Sequence, residues 1–159
     1  MKINIFFTLI LSWLLFSISK EDIKTMLISE NKLRIFAASG ILYLICLGLL
    51  NNKINSIDLI IKNSLAMLVI FTTMYTISYT GYKLLGINCL GLGDIKLSSI
   101  SSIWLGIELS FISLCISFLL SAIYSFHGKL TNRFEKFHQY PFAPFLSFGI
   151  FCSWILDKI

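Results

Sequence analysis

The sequence predicts an all-α, polytopic integral membrane protein of about six transmembrane helices, N-terminus outside, forming a single membrane-embedded domain over residues 1–159. Three observations lead there. Hydrophobic residues make up 57% of the chain and the mean hydropathy is +0.85, which leaves too little polar sequence to cover a water-soluble globule. The apolar residues fall in long runs broken by short polar stretches; since one span takes roughly 20 apolar residues, this length holds about six with short loops. The 13 Lys and Arg residues, set against 8 Asp and Glu, are unevenly shared among those stretches, as topology requires.

The first span runs from Ile3 to about Ser19. A cleaved signal peptide is the alternative, but only Lys2 precedes the run while Lys20, Lys24, Lys32 and Arg34 follow it, a flank that favours an uncleaved span with residues 20 to 34 in the cytoplasm. The second span covers about Leu33 to Leu50, and Asn51 to Ser56 is a short polar connection. The third covers roughly Ile57 to Thr80, with Lys62 near its outer end able to extend its amine to the surface. Gly81 to Gly93 reads as a glycine-bearing loop.

Residues 97 to 126 are too long for one span and short for two: as one helix they reach about 45 Å. Two short spans turning near Gly106 put nine of the thirteen basic residues on the cytoplasmic side, against seven for a single span, so the positive-inside tendency favours the turn. The loop His127 to Tyr140 follows, and Pro141 to Leu156 is the last span. Ser98, Ser99, Ser101 and Ser102 lie at helical spacings, suited to close helix packing or to bonding across an interface. Trp13, Trp104 and Trp154 read as span or interface aromatics.

The net charge of +5 does not indicate nucleic acid, because the basic residues form no stripe or cluster. Cys46, Cys89, Cys115 and Cys152 stand apart within apolar segments, with no C-x-x-C pair, and read as small core residues. His127 and His138 lack a carboxylate or cysteine at ligand spacing, so no metal site and no cofactor is expected.

The acids carry the chemistry. Glu21 and Glu30 read as members of a solvated loop, Asp58 as an interface residue, Glu135 as a partner of its basic neighbours and Asp157 as part of the tail. Glu108 falls near an outer turn, whereas Asp22 and Asp94 both fall at cytoplasmic helix ends and are the pair that can meet. Two carboxylates in a partly dehydrated site cannot both ionise easily, so one keeps a proton while the other activates water. That suffices for peptide hydrolysis without metal or covalent intermediate. The two titrate as a pair, and which one holds the proton stays open.

Gly91-Leu92-Gly93-Asp94-Ile95-Lys96-Leu97 resembles the G-x-G-D-x-K motif of the type IV prepilin peptidases, membrane aspartyl proteases. Asp22 to Ser29 is similar to their first motif, an aspartate six residues before an Ile-Pro pair. Tyr140-Pro141-Phe142-Ala143-Pro144-Phe145-Leu146 resembles their Pro-Phe-Gly-Pro-Phe segment, and Leu105-Gly106 falls where many members carry a similar pair. The resemblance implies a bacterial inner-membrane, multi-pass enzyme of type IV pilus or protein-secretion systems, with membrane lipid around it and type IV prepilins or pseudopilins as substrates. Their short leaders would be cut at the cytoplasmic face, with Asp22 and Asp94 catalytic. Gly91 and Gly93 would allow tight backbone passage near the peptide, and Lys96 either steadies Asp94 or reaches to the lipid surface.

Three features depart from the pattern. Ser29 stands for proline, Ala143 stands for glycine, and the cysteine-bearing cytoplasmic domain of larger members is absent, which makes N-methylation of the product doubtful. The competing readings are a small ion- or proton-coupled transporter component relaying protons through Asp94 and Glu108, and an inactive pilus-assembly scaffold.

Overall fold

The computed structural model describes residues 2–50, 55–86, 90–131 and 140–158. These form five α-helices and no strand: α1 Lys2–Thr25, α2 Glu30–Leu50, α3 Ser56–Leu85, α4 Leu92–Leu130 and α5 Ala143–Leu156. The all-α expectation holds. By length and composition, Glu30–Leu50, Ser56–Leu84 and Leu92–Leu130 are apolar enough to cross a membrane, and Ala143–Leu156 is a shorter apolar helix.

Helices run past the apolar segments that mark them. Ile3 to Ser19 continues as helix to Thr25, where Thr25 Oγ1 bonds back to the Glu21 carbonyl and Met26, at φ 52°, ends the ladder. Asp22 therefore sits on the last turns of α1. Likewise α3 continues to Leu85 and stops at Gly86, whose φ of 70° and amide bond to the Tyr82 carbonyl make a left-handed cap. Of the loop expected from Gly81 to Gly93, Gly81 to Leu85 and Leu92 to Gly93 are helical, and residues 87–89 lie outside the described residues. The start of the loop expected at His127 is helical as well, to Leu130. Glu135, Arg133, Lys136 and His138 lie outside the described residues, as do Cys89 and Lys53.

Contacts between helices fix their directions. Lys32 of α2 bonds the Ser17 carbonyl and pairs with Glu21 of α1, and at the other end Phe7 meets Tyr43, so α1 and α2 are antiparallel. The first limb of α4, residues 92–105, runs parallel to α2. Lys96 pairs with Glu30 at one end, and at the other Trp104 stacks on Phe36 and Tyr43. α5 is antiparallel to α1, from the Ala143–Asp22 bond through Ser147–Leu15 to Trp154–Thr8. The second limb of α4, residues 107–130, is antiparallel to α5, with Phe118 against Phe142 and Gly149 against Ser113 and Ser117. The two limbs of α4 are consequently antiparallel to each other.

The reversal occurs at Gly106, at φ 74° and ψ −178°, a region that essentially only glycine occupies. The break leaves carbonyls of the preceding turn without helical donors, and the buried Asn63 of α3 donates its Nδ2 to one of them, Ile103 O, at 2.9 Å.

The core gathers around Trp104, whose indole N–H bonds the Phe36 carbonyl at 3.0 Å and whose ring also meets Phe7 and Trp154 edge-on. Gly40 makes room for it, since a Cβ there would stand 2.7 Å from Trp104 Nε1. Trp104 and Trp154 are core residues, whereas Trp13 is 68% exposed. Beyond α5, Lys158 lies 4.3 Å from the Trp154 ring centroid, against Tyr43 and Asp157. Burial works against its charge, but the hydrogen bonds it donates to Asp157 and Tyr43 hold its pKa above the usual lysine value.

Elsewhere the distribution is inverted relative to a soluble protein. Leu9, Phe16, Leu68 and Leu119 are exposed while ten serines are buried, the pattern of a bundle whose outer solvent is lipid and whose helices pack through small residues. Most of these serines do not bond across interfaces. Ser98, Ser99, Ser101 and Ser117 return their hydroxyls to carbonyls of their own helix, which supports the close-packing reading. Cys115 is exposed and Cys46 and Cys152 are half-buried, so these three are not core residues; an apolar thiol is equally at home against lipid.

The tightest approach to a backbone atom is at Gly149, where a Cβ would stand 2.5 Å from the Ser113 carbonyl oxygen and would also meet Ser117 Oγ. A backbone carbonyl cannot move aside, so Gly149→Ala should destabilise the fold by about 1–3 kcal/mol through overpacking, read as a lower thermal-unfolding midpoint in detergent. An unchanged midpoint would show that α4 and α5 are not in this contact.

Candidate active site

Four separate pieces of chain meet at one end of the bundle. Asp22 comes from the last turns of α1. The stretch after it, Met26 to Ser29, turns back into α2; Ser29 Oγ accepts the Lys32 amide at 3.4 Å, so it caps that helix. Serine thus supplies a helix start where the motif has proline. Asp94 lies in the first turn of α4, where the positive end of the helix dipole favours an acid. The fourth piece is the N-terminus of α5.

Asp22 is buried, 4% exposed, and its Oδ2 accepts the Ala143 amide at 3.0 Å. Ala143 is the first residue of α5, with proline next to it at position 144, so the amide that Asp22 takes is one with no partner inside the helix. Asp94 is less deeply placed, but its Oδ1 is buried without a hydrogen-bond partner among the described residues. The Asp22 charge acts on Asp94, so the two carboxylates that the sequence pairs are near enough to repel. Their motifs also touch through packing: a Cβ on Gly93 would come 3.3 Å from Ile28 Cβ, between Asp22 and Ser29 in the chain.

Neither glycine of the motif needs a left-handed backbone; the positive-φ glycines among the described residues are Gly86 and Gly106. Their smallness matters instead. A Cβ on Gly91 would crowd Asp94 Oδ2 at 3.2 Å, while the Gly91 carbonyl accepts the Asp94 and Ile95 amides and so starts the helix. Lys96 does neither of the two things expected of it. Its Nζ meets Glu30 Oε1 at 2.6 Å, and Glu30 also pairs with Arg34, so the lysine ties α4 to the start of α2. Glu30 and Glu21, read as solvated loop acids, are instead helix-end residues in ion pairs.

Glu108 is exposed, two residues past the Gly106 turn and at the other end of the bundle from Asp22. Among the described residues no group of three or more His, Cys, Asp or Glu could hold a metal.

Sequence reasoning missed the Ala143 amide, the packing of Ile28 on Gly93, and Glu30 as the partner of Lys96. Only the first had a signal, the two prolines around Ala143, which mark a helix start.

A family model described as the type IV leader peptidase family matches residues 9–126, roughly three quarters of the chain. The matched stretch holds both aspartates and both limbs of α4 nearly to their end; the Tyr140 to Leu146 segment lies beyond it. Neither the search of curated proteins nor that of solved structures returned a match. With the family's model aligned across both acidic motifs, the chain belongs to the type IV leader peptidase family.

Proposed function

We propose that this protein is an aspartic-type endopeptidase that removes the leader of prepilin-like or pseudopilin-like substrates at the cytoplasmic face of a bacterial inner membrane. It would do so as one membrane-embedded domain crossing the bilayer six times from an outside N-terminus. The observation that carries the reading is the convergence of Asp22 and Asp94, from the first and middle thirds of the chain, at one end of an apolar bundle. The antiparallel limbs of α4 support six crossings, since they return the chain to the Asp22 end before α5 begins. That end also carries Lys20, Lys24, Lys32, Arg34 and Lys96, in keeping with a cytoplasmic orientation.

The hydrogen-bond directions suggest how the pair divides its work. An amide can only donate, so Asp22 Oδ2, which receives the Ala143 N–H, presents lone pairs and suits the ionised partner that takes a proton from water. Asp94 also takes a backbone hydrogen bond, from Gly91, but its Oδ1 is buried and without a donor among the described residues, so that oxygen can carry the shared proton. From there it can hydrogen-bond the scissile carbonyl and later help protonate the leaving amine. Gly91 keeps the approach to Asp94 Oδ2 free of side chains.

The transporter reading needs Glu108 in line with Asp94, and its place beyond the Gly106 turn gives no support to such a relay.

Co-expression with a prepilin-like protein from the same genome should show leader removal as a gel shift. Asp22→Asn and Asp94→Asn should each lower the rate by at least about a hundredfold, the scale of a lost acid–base group. Processing at the wild-type rate by either variant, recovered folded from the membrane, would sink the paired-acid mechanism.

A second outcome concerns pH. Because hydrolysis requires one proton shared between two acids, cleavage should follow a bell-shaped profile whose limbs belong to the pair. A flat profile from pH 4 to 9 would be incompatible with it, as roughly one proton must be lost and another kept within that range.

A further inference from the structure

Beside Asp94 lies a groove of about 360 Å³ that the proposed chemistry does not use, walled by Tyr75, Ser78, Tyr79 and Tyr82 of α3 and by residues 90–92. Resting on the peptidase reading, we propose that this groove is a substrate subsite. It would hold the extended segment next to the scissile bond, with an apolar side chain of that segment packed on the tyrosine rings.

The spacing of the tyrosines puts them on one stripe of α3, at i, i+4 and i+7. Each is about half exposed, from 51% to 56%, so the rings line the groove without filling it. The opposite wall is the chain entering α4, and Gly91 belongs both to that wall and to the immediate surroundings of Asp94, since a Cβ there would stand 3.2 Å from Asp94 Oδ2. The groove is thus continuous with the reacting carboxylate, which lies two residues past Leu92 along the wall. An extended peptide advances about 3.3 Å per residue, so a chain whose scissile carbonyl faces Asp94 places its next residues against the tyrosines. Their ring faces offer apolar area, and the phenolic hydroxyls offer donors and acceptors to a backbone that is not helical, while Ser78 Oγ, which donates to the Leu90 carbonyl, offers an acceptor. The volume falls in the lower part of the range of ligand pockets, suited to a short stretch of peptide and too small for a second helix.

Tyrosines near a helix end also form interfacial belts in membrane proteins. Belt residues face lipid and headgroups; here the stripe faces residues 90–92 across the groove. The two roles separate experimentally. A belt residue governs insertion and stability, and a subsite residue governs substrate affinity and side-chain preference.

The test uses the full-length enzyme in detergent and the prepilin-like protein that wild type cleaves. Tyr79→Ala and the double variant Tyr75→Ala/Tyr79→Ala should raise KM by about tenfold, a larger change than in kcat, as expected for lost binding shared by ground and transition states. Tyr79→Phe should recover most of the loss, and shortening apolar substrate side chains near the cut should penalise wild type more than the double variant. Unchanged KM with an unchanged substrate preference would overturn the subsite, as would a loss of kcat that tracks a lower unfolding midpoint. A photoreactive phenylalanine analogue at position 79, placed in the Asp94→Asn background, gives a readout independent of turnover. Crosslinks to substrate residues flanking the junction support the subsite, and crosslinks to lipid alone overturn it. If wild type cleaves no such substrate, the peptidase reading fails by itself, and the crosslink still decides whether the groove holds the peptide.

Discussion

The arrangement depends on one backbone constraint, the reversal at Gly106. With φ 74° and ψ −178°, that residue sits where a Cβ is strongly disfavoured, and everything after it takes its direction from the break. Two contacts hold the turn in place. Trp104, two residues before it, is wedged among Phe36, Tyr43 and Trp154, and Asn63 takes the carbonyl of Ile103. Without the reversal, the second limb would carry α5 away from Asp22, and the prolines at 141 and 144 would start a helix with nothing acidic to meet.

That delivery explains why the two residue replacements, at Ala143 and Ser29, need not disable the site. The group Asp22 receives from α5 is a backbone amide, which alanine supplies as well as glycine. What the segment must provide is a helix start at the right place, and proline beside Ala143 provides it. Ser29 is similar: proline would begin α2 by fixing a dihedral, and serine begins it by capping the Lys32 amide. In both places the motif letter changes while the local structural task is met.

Much of this was legible in the sequence because membrane helices leave a strong signal. Long apolar runs gave the all-α class, and an aspartate beside glycines at the start of one run, with another just after the first run, gave the pair. The helix ends were not legible. Hydropathy follows the part of a helix that faces lipid, but backbone hydrogen bonding continues through polar residues until a left-handed residue such as Met26 or Gly86 stops it. Lys96 was misread for a related reason. Its neighbour in sequence is Asp94, yet a lysine on a helix reaches along its own face, and that face meets the start of α2 and Glu30. The Ala143 amide was hidden because a backbone donor has no letter of its own, and the cysteines because an apolar residue suits lipid and protein interior alike.

If the pair hydrolyses peptide bonds as proposed, the position of the acids answers a requirement of that chemistry. Hydrolysis needs water, and the hydrocarbon core has none to give; two ionisable groups at mid-depth would be costly and dry. At helix ends the costs fall. The N-terminus of α4 favours a carboxylate at Asp94 and that of α5 does the same at Asp22. The depth also differs usefully between the two, with Asp22 buried behind the α5 amide and Asp94 nearer the surface beside Gly91. On the peptidase reading proposed above, a substrate bond would meet Asp94 first, with Asp22 behind it to hold the water.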